Sequence, residues 1–465
     1  MNRLQHALAA SLIVNMTITS LSGAIVFAQM DTSNTGKRAD KMVQYVPEFK
    51  KEWEEIDELL KKEEHQVALK KANVLVTRFP KKGPAFFKRA QVYAAMSKPA
   101  QGMADIQKSM ELGPVTSATY AVRSRLYYEQ NKFKEALADI DKALEINPEK
   151  KLARVWRISV LEKLGRPKDA QNEANSAAEA HPASYKVVMK AARLEKKSNP
   201  KLAIEHLNQA IKISPQDPEP WRLMAEIRMA TKDYLQATRA FDRAIELDPK
   251  NAELYYHRAR VKKATLMAQD AIKDCDRAIL NDKSKSNYYR LRSELNAQIG
   301  HFEEALVDAN KAISIDPRNV ENRSAKAEVL MQTEKFDECI KECTAGLAIS
   351  PDCAPLLINR GEAHEKINKK ALALKDFKKA SEVAKMSFRN LVRKGTLETQ
   401  LGFHEEAIKT YTAAISKAKS TAKSRAYIER ADIYDKLGKV DEAKADRRQA
   451  KELSSGLMDD VLGEK

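Results

Sequence analysis

Near-copies of one phrase recur along the chain: FKEALADIDKALEINPEK at 133–150, YLQATRAFDRAIELDPKN at 234–251 and FEEALVDANKAISIDPRN at 302–319. Such self-similarity constrains a fold more than composition does. Each copy is a unit too small to bury its own apolar face, so the copies must stack on one another. Aligned on a small residue at position 20, another at 27 and Pro at 32, the period is 34 residues. Twelve copies begin near Phe49, Gly83, Ser117, Lys151, Ser184, Pro218, Ala252, Ser286, Val320, Ala354, Phe388 and Ser424. Position 20 is Ala in all but two copies, which carry Gly102 and Cys339. A short side chain there lets two helices cross closely. Proline at position 32 ends a helix and sets the entry to the next copy; Lys283 and Lys385 replace it in two copies.

Each copy reads as two short helices. From Ala252, helix A is AELYYHRARVKKA, the turn lies near TLMA, and helix B is QDAIKDCDRAIL. Apolar residues at spacings of three and four mark both as amphipathic helices. Neither could stand alone at that length. The expected fold is therefore all-α, a stack of helical hairpins over 49–457 with a polar tail at 458–465.

The 34-residue period, small residues at 8, 20 and 27, aromatics near 4, 11 and 17, and Pro at 32 resemble the tetratricopeptide repeat. Trp221, Ala225, Tyr234, Ala237, Ala244 and Pro249 carry the resemblance, as do Tyr255, Ala259, Ala271 and Ala278. It covers nearly all of 49–457; Glu52, Arg154 and Val188 stand where an aromatic is expected. The resemblance implies a right-handed α–α superhelix. It also implies a concave groove, lined by positions 2, 5, 6, 9, 12 and 13 of helix A, that takes extended peptides or helices of partner proteins. Carried onto this chain, the groove holds Glu219, Arg222, Glu226, Glu253, Tyr256, Arg260, Lys263, Asn287, Arg290 and Glu294. Further along come Glu321, Glu328, Glu362, Arg389 and Arg393. The candidate site is Arg222, Glu226, Tyr256, Arg260, Lys263, Arg290 and Glu294, richest at Tyr256, Arg260, Lys263 and Arg290. Arginine forks grip carboxylates and a tyrosine adds flat apolar contact. A Lys–Asn–Asn–Lys–Arg clamp for C-terminal carboxylates, known in one subtype, has no counterpart here. Arg222 is followed by Glu226, and Arg290 by Glu294.

A second pattern couples position 7 to position 23. The pairs are Arg89 with Asp105, Arg123 with Asp139, Arg258 with Asp274, Arg292 with Asp308, Arg360 with Asp376, and Arg430 with Asp446. Lys326 and Glu342 take the same places; Glu55 and Lys71 take them with signs exchanged; Met224 and Ala240 carry no charge. Residues sixteen apart cannot meet on one helix but can meet across a hairpin. Their joint appearance, reversal and loss point to a repeated structural ion pair, worth ~0.2–1 kcal/mol where partly exposed. A catalytic acid or base needs one site of convergence, and this pair recurs at regular steps.

No HExxH, GxSxG, phosphate loop or dinucleotide fingerprint is present, and few residues lie outside the repeats to build a catalytic domain. The chain is expected to be no enzyme and to need no cofactor or metal. Cys275, Cys339, Cys343 and Cys353 form no CxxC, and the first three fall at positions that are small or apolar in other copies; buried free thiols are expected.

The formal charge of +17 favours anionic partners. Yet the charges are interspersed, with no basic tail, so nucleic acid is not the expected ligand. Residues 1–28 carry Arg3, an apolar stretch from Leu8 and Val26-Phe27-Ala28 before Gln29. This is the pattern of a cleaved export signal, with an uncleaved anchor over 8–28 as the alternative and the one route to membrane contact. Residues 29–48 read as a polar spacer. The expected function is an exported scaffold, periplasmic or secreted, binding envelope proteins or peptides. Two alternatives stay open: a charge-driven binder of anionic polymers, and a self-assembling array. The partner's identity and the oligomeric state are not encoded legibly.

Overall fold

The computed structural model describes residues 50–417 and 420–462, with side chains described outside 420–421 and 454–462. The segments read as an export signal and a spacer lie outside the described residues. The chain divides into two compact units, 1–231 and 232–465. Each is a right-handed, all-α solenoid of helical hairpins. Among the described residues the first unit holds eleven helices, from Lys50–Lys61 to Pro218–Ala230, and the second thirteen, from Tyr234–Leu247 to Val440–Leu462. None of them is long and apolar enough to cross a membrane.

Helix boundaries follow the repeat closely. The segment read as helix A of the copy from Ala252 is a helix over Ala252–Ala264, and its partner is Ala268–Asn281. Position 20 is buried in every copy where it is Ala or Cys, at 0% exposure from Ala68 to Ala443. Close approach explains the small side chain: a Cβ on Gly102 would stand 2.6 Å from Leu126 Cδ2. Position 8 on helix A and position 24 on helix B share the space between the paired helices, and their sizes compensate. Ala259 and Cys275 pack in one core cluster. In the copy from Phe388, Gly395 makes room for the fully buried Tyr411; a Cβ on Gly395 would come within 2.9 Å of that ring. Interiors packed to crystal density leave no other way to seat the larger side chain.

The A–B turn has one recurring device. Position 15 is left-handed in eleven copies: at Gly165, Gly300, Gly402 and Gly438, but also at Glu63, Ser97, Asn131, Lys232, Leu266, Glu334 and Asn368. At Leu266 the backbone forms a Schellman closure. Met267 N–H donates to Lys262 O at 2.9 Å and Leu266 N–H to Lys263 O at 3.1 Å. The copy near Ser184 departs from this. Its helix A is Tyr185–Ser198 and its helix B begins at Pro200, so the left-handed residue is missing. Asn199 closes one helix and caps the next, its Oδ1 accepting from Leu202 N–H at 3.2 Å. Alignment on helix B therefore sets this copy's start one residue early.

Candidate functional site

Five of the seven candidate groove residues lie in the second unit. Tyr256, Arg260 and Lys263 stand on Ala252–Ala264, and Arg290 and Glu294 on Ser286–Gln298. Spacings of three and four put each set on one helix face. Neighbouring helices then interlock. Lys263 forms an ion pair with Glu294; Arg290 reaches Glu294 at 3.2 Å and Glu321 at 2.9 Å. Tyr256 packs against Tyr288, ring centroids 5.1 Å apart. Glu328 joins the cluster. Its carboxyl pKa is raised, first by the crowding that strips water from it and then by Glu294, with Lys263 and Arg290 pulling the other way. Arg260 stands apart. It is exposed, lies 5.9 Å from the Tyr256 ring centroid, and its Nη1 is 3.5 Å from His257 Nδ1. Among the described residues it has no carboxylate partner.

The other two candidates, Arg222 and Glu226, lie in the first unit. Arg222 is held by Glu219 at 2.7 Å and by Glu226, and Glu226 also pairs with Lys196. The forks of Arg222 and Arg290 are thus engaged within the protein, and Arg260 is the open one.

In six hairpins the position 7 and position 23 residues meet as two-pronged Arg–Asp pairs. Arg123 donates from Nε and Nη2 to Asp139 at 2.6 and 2.8 Å, and Arg292 to Asp308 at 2.8 and 2.7 Å. Arg89 with Asp105, Arg258 with Asp274, Arg360 with Asp376 and Arg430 with Asp446 repeat this fork. Lys71 and Glu55, and Lys326 and Glu342, make single bridges of 2.6 and 2.9 Å. The aspartates are buried and the arginines only partly so: Asp308 has 5% of its side chain exposed and Arg292 25%. Arg292 is held charged, its pKa raised chiefly by the hydrogen bond to Asp308, against desolvation, with Asp276 adding to it. Aromatics at positions 4 and 11 flank the guanidinium; Arg123 lies 5.4 and 6.0 Å from the Tyr120 and Tyr127 ring centroids.

Three further contacts lie outside the pairs read from the sequence, although two of them have the same spacing of sixteen. The arginine's second face reaches position 25 of the preceding copy, as in Arg258 to Asp242 at 2.7 Å and Arg292 to Asp276 at 2.5 Å. Arg157 and Glu173 make the pair of their copy at 2.6 Å, with Glu in place of Asp. On the first unit's helix-A face, Lys88 is buried, pairs with Asp57 at 2.6 Å and sits 3.9 Å from the Trp53 ring centroid. The four cysteines are free; Cys275, Cys339 and Cys343 are buried, and burial raises the Cys275 thiol pKa. Among the described residues, no three His, Cys, Asp or Glu side chains are grouped to hold a metal ion.

Family models described as tetratricopeptide repeat match residues 117–150, 159–218 and 424–456. Comparison with curated proteins finds no match. Among solved structures, yeast Tom70 is 16% identical, over 89% of this chain and 98% of that one, with a TM-score of 0.45. A tetratricopeptide repeat protein from Parabacteroides merdae is 16% identical, over 57% and 98%, with a TM-score of 0.44. YrrB, described as a TPR protein with an unusual peptide-binding site, is 20% identical, over 39% and 93%, with a TM-score of 0.33.

Proposed function

We propose that this chain, which matches tetratricopeptide-repeat models over residues 117–150, 159–218 and 424–456, is a non-catalytic scaffold holding extended peptides or helices of partner proteins against the helix-A face. The contact centres on Tyr256 and Arg260. The supporting observation is the contrast on that face: Lys263 and Arg290 are tied to carboxylates of the protein itself, whereas Arg260 is exposed beside an aromatic ring with no acid to hold it among the described residues. An unpaired guanidinium next to a tyrosine is a ready anchor for a partner's carboxylate or backbone carbonyl. With residues 1–28 read as an export signal, the partners are proteins of the cell envelope.

The test is capture. Full-length protein and its Arg260→Ala variant are immobilised and exposed to solubilised envelope extract of the host at two salt concentrations. A few proteins retained at high salt by the parent and lost by the variant support the reading. Equal retention by both moves the contact away from Arg260. Retention only of polymers or a broad acidic mixture, lost at high salt, replaces the reading with charge-driven binding.

A further inference from the structure

In the copy from Phe388 the recurring ion pair is dismantled. Position 7 is Lys394, position 23 is Thr410, and position 25 of the preceding copy, which supplies Asp242 and Asp276 elsewhere, is Lys378. A cleft of about 580 Å³ opens there, and its polar lining is Ser381, Glu382, Lys385, Lys394, Lys409, Thr410 and Lys417. Four ammonium groups face one lining carboxylate. Lys394 lies 3.4 Å from Ser381 Oγ and 3.7 Å from the buried Glu398. Lys417 donates to Met386 O at 3.1 Å. Lys385 and Lys409 make no ion pair among the described residues. Thr410 is 6% exposed.

The matching place in the copy from Ala252 shows what a self-satisfied version looks like. That cleft, about 450 Å³, is lined by Arg258, Lys262, Lys273 and Arg277 but also by Asp270, Asp274 and Asp276. Lys262 meets Asp274 at 2.8 Å and Lys273 meets Asp270 at 2.9 Å.

We propose that the Lys385–Lys394–Lys409–Lys417 cleft binds a compact oligophosphate. Lysines act as point charges suited to phosphate, and the lining has no arginine fork to match a planar carboxylate. Thr410 offers a hydroxyl donor to the non-bridging oxygens, while Ser381 donates to Lys378 O at 2.6 Å and accepts from Lys394. With Glu398 counted beside Glu382, the four ammonium groups leave an excess of two positive charges, which suits linked phosphates carrying at least two negative charges. The site is independent of the helix-A groove, and its failure would leave that reading untouched.

The test is calorimetric titration of the full-length protein with sodium tripolyphosphate, with citrate as the carboxylate counterpart. Saturable binding of tripolyphosphate, weaker for citrate, is expected. Removing two ammonium groups in Lys385→Gln/Lys409→Gln should weaken it at least ~10-fold, as should Ser381→Asp, which places an acid beside Lys394. Lys311→Gln/Lys341→Gln removes the same charge from exposed positions elsewhere in the unit and should leave affinity unchanged. Thermal melts run on each variant separate lost binding from lost folding; should Ser381→Asp unfold, the exposed lysine pair decides. Absence of saturable binding overturns the proposal. So does equal loss in both lysine double variants, or citrate binding as tightly as tripolyphosphate.

Discussion

The copies from Ala252 and Phe388 solve one packing problem in two ways. In the first, Ala259 and Cys275 fill the space between the helices, and Arg258, gripped by Asp274 and Asp242, staples three helices from outside. In the second, the acids are gone. Tyr411 fills the space instead, its ring against Gly395 and its hydroxyl 3.1 Å from Thr396 Oγ1. Burial pushes the Tyr411 pKa up to about 12. Both copies keep helices of the same length, thirteen and fourteen residues. Close packing at positions 8, 20 and 24 is therefore what the hairpin requires. The ion pair is an addition the fold can drop, and in the copy from Phe388 its loss leaves Lys385 and Lys409 without an ion pair among the described residues.

The largest expected effect breaks the staple. Arg292→Ala leaves Asp308 buried with only Asn296 Nδ2 nearby, at 3.5 Å. An uncompensated buried charge is expensive, so a loss of about 2–4 kcal/mol is expected in denaturant unfolding. That exceeds the value of an exposed pair, because the aspartate is buried even though the arginine is not. Asp308→Asn added to Arg292→Ala should recover part of the loss; no recovery would mean that packing of the arginine stem, not charge, sets the cost.

Next comes the ring. Gly395→Ala forces a methyl into Tyr411 and should cost about 1–3 kcal/mol. Gly395→Ala with Tyr411→Cys rebuilds the Ala–Cys arrangement of the copy from Ala252 and should cost less than the sum of the two single changes. Strict additivity in thermal melts would mean the two positions do not share a space.

A third test sets position 11 of two stapled copies against each other, His364 against Asn296. His364 is buried, and its pKa is lowered from 6.5 chiefly by desolvation, with Asp376 opposing. Arg360 and Lys369 add to the lowering. Its Nδ1 has no hydrogen-bond partner among the described residues. The unfolded chain then binds the proton more readily than the folded one. Stability should fall as pH drops below about 6.5 and level off once pH is under the folded-state pKa. His364→Asn should flatten the part of the stability–pH curve below about pH 6.5 that this histidine contributes; an unchanged curve would assign that slope to other groups.

Legibility tracks the distance over which a contact is fixed. The Arg–Asp pairs show in the sequence because one turn of constant length joins their helices, so sixteen residues always span the same gap. The small residues at position 20 show for the same reason. Groove contacts do not show, since Lys263 and Glu294 are thirty-one residues apart on successive copies and meet only at the ends of long side chains. The groove's charge therefore reads as open forks when Arg222 and Arg290 are in fact engaged. The oligophosphate cleft escapes for a different reason. It is marked by what is missing at positions 23 and 25, and its lysines come from two copies.

The smallest expected effect lies in the turns of the same two copies. Position 15 is Leu266 at φ 60° in one and Gly402 at φ 84° in the other. The backbone demand is the same, because the Schellman closure needs a left-handed residue to bring position 16 back to position 11. Glycine meets it without strain, while an L side chain meets its own carbonyl oxygen at a cost of ~1–2 kcal/mol. Leu266 is 79% exposed, so losing its side chain gives up little packing. Leu266→Gly removes the strain but loosens the unfolded chain, and the net should be a gain of about 0.5 kcal/mol. Gly402→Ala, in open space with no atom near a new Cβ, should lose about 1 kcal/mol through backbone strain alone. Opposite signs in the two turns would establish that the conformation, not the neighbours, sets the preference. A loss at Leu266 as well would mean that this exposed leucine has a contact of its own to keep.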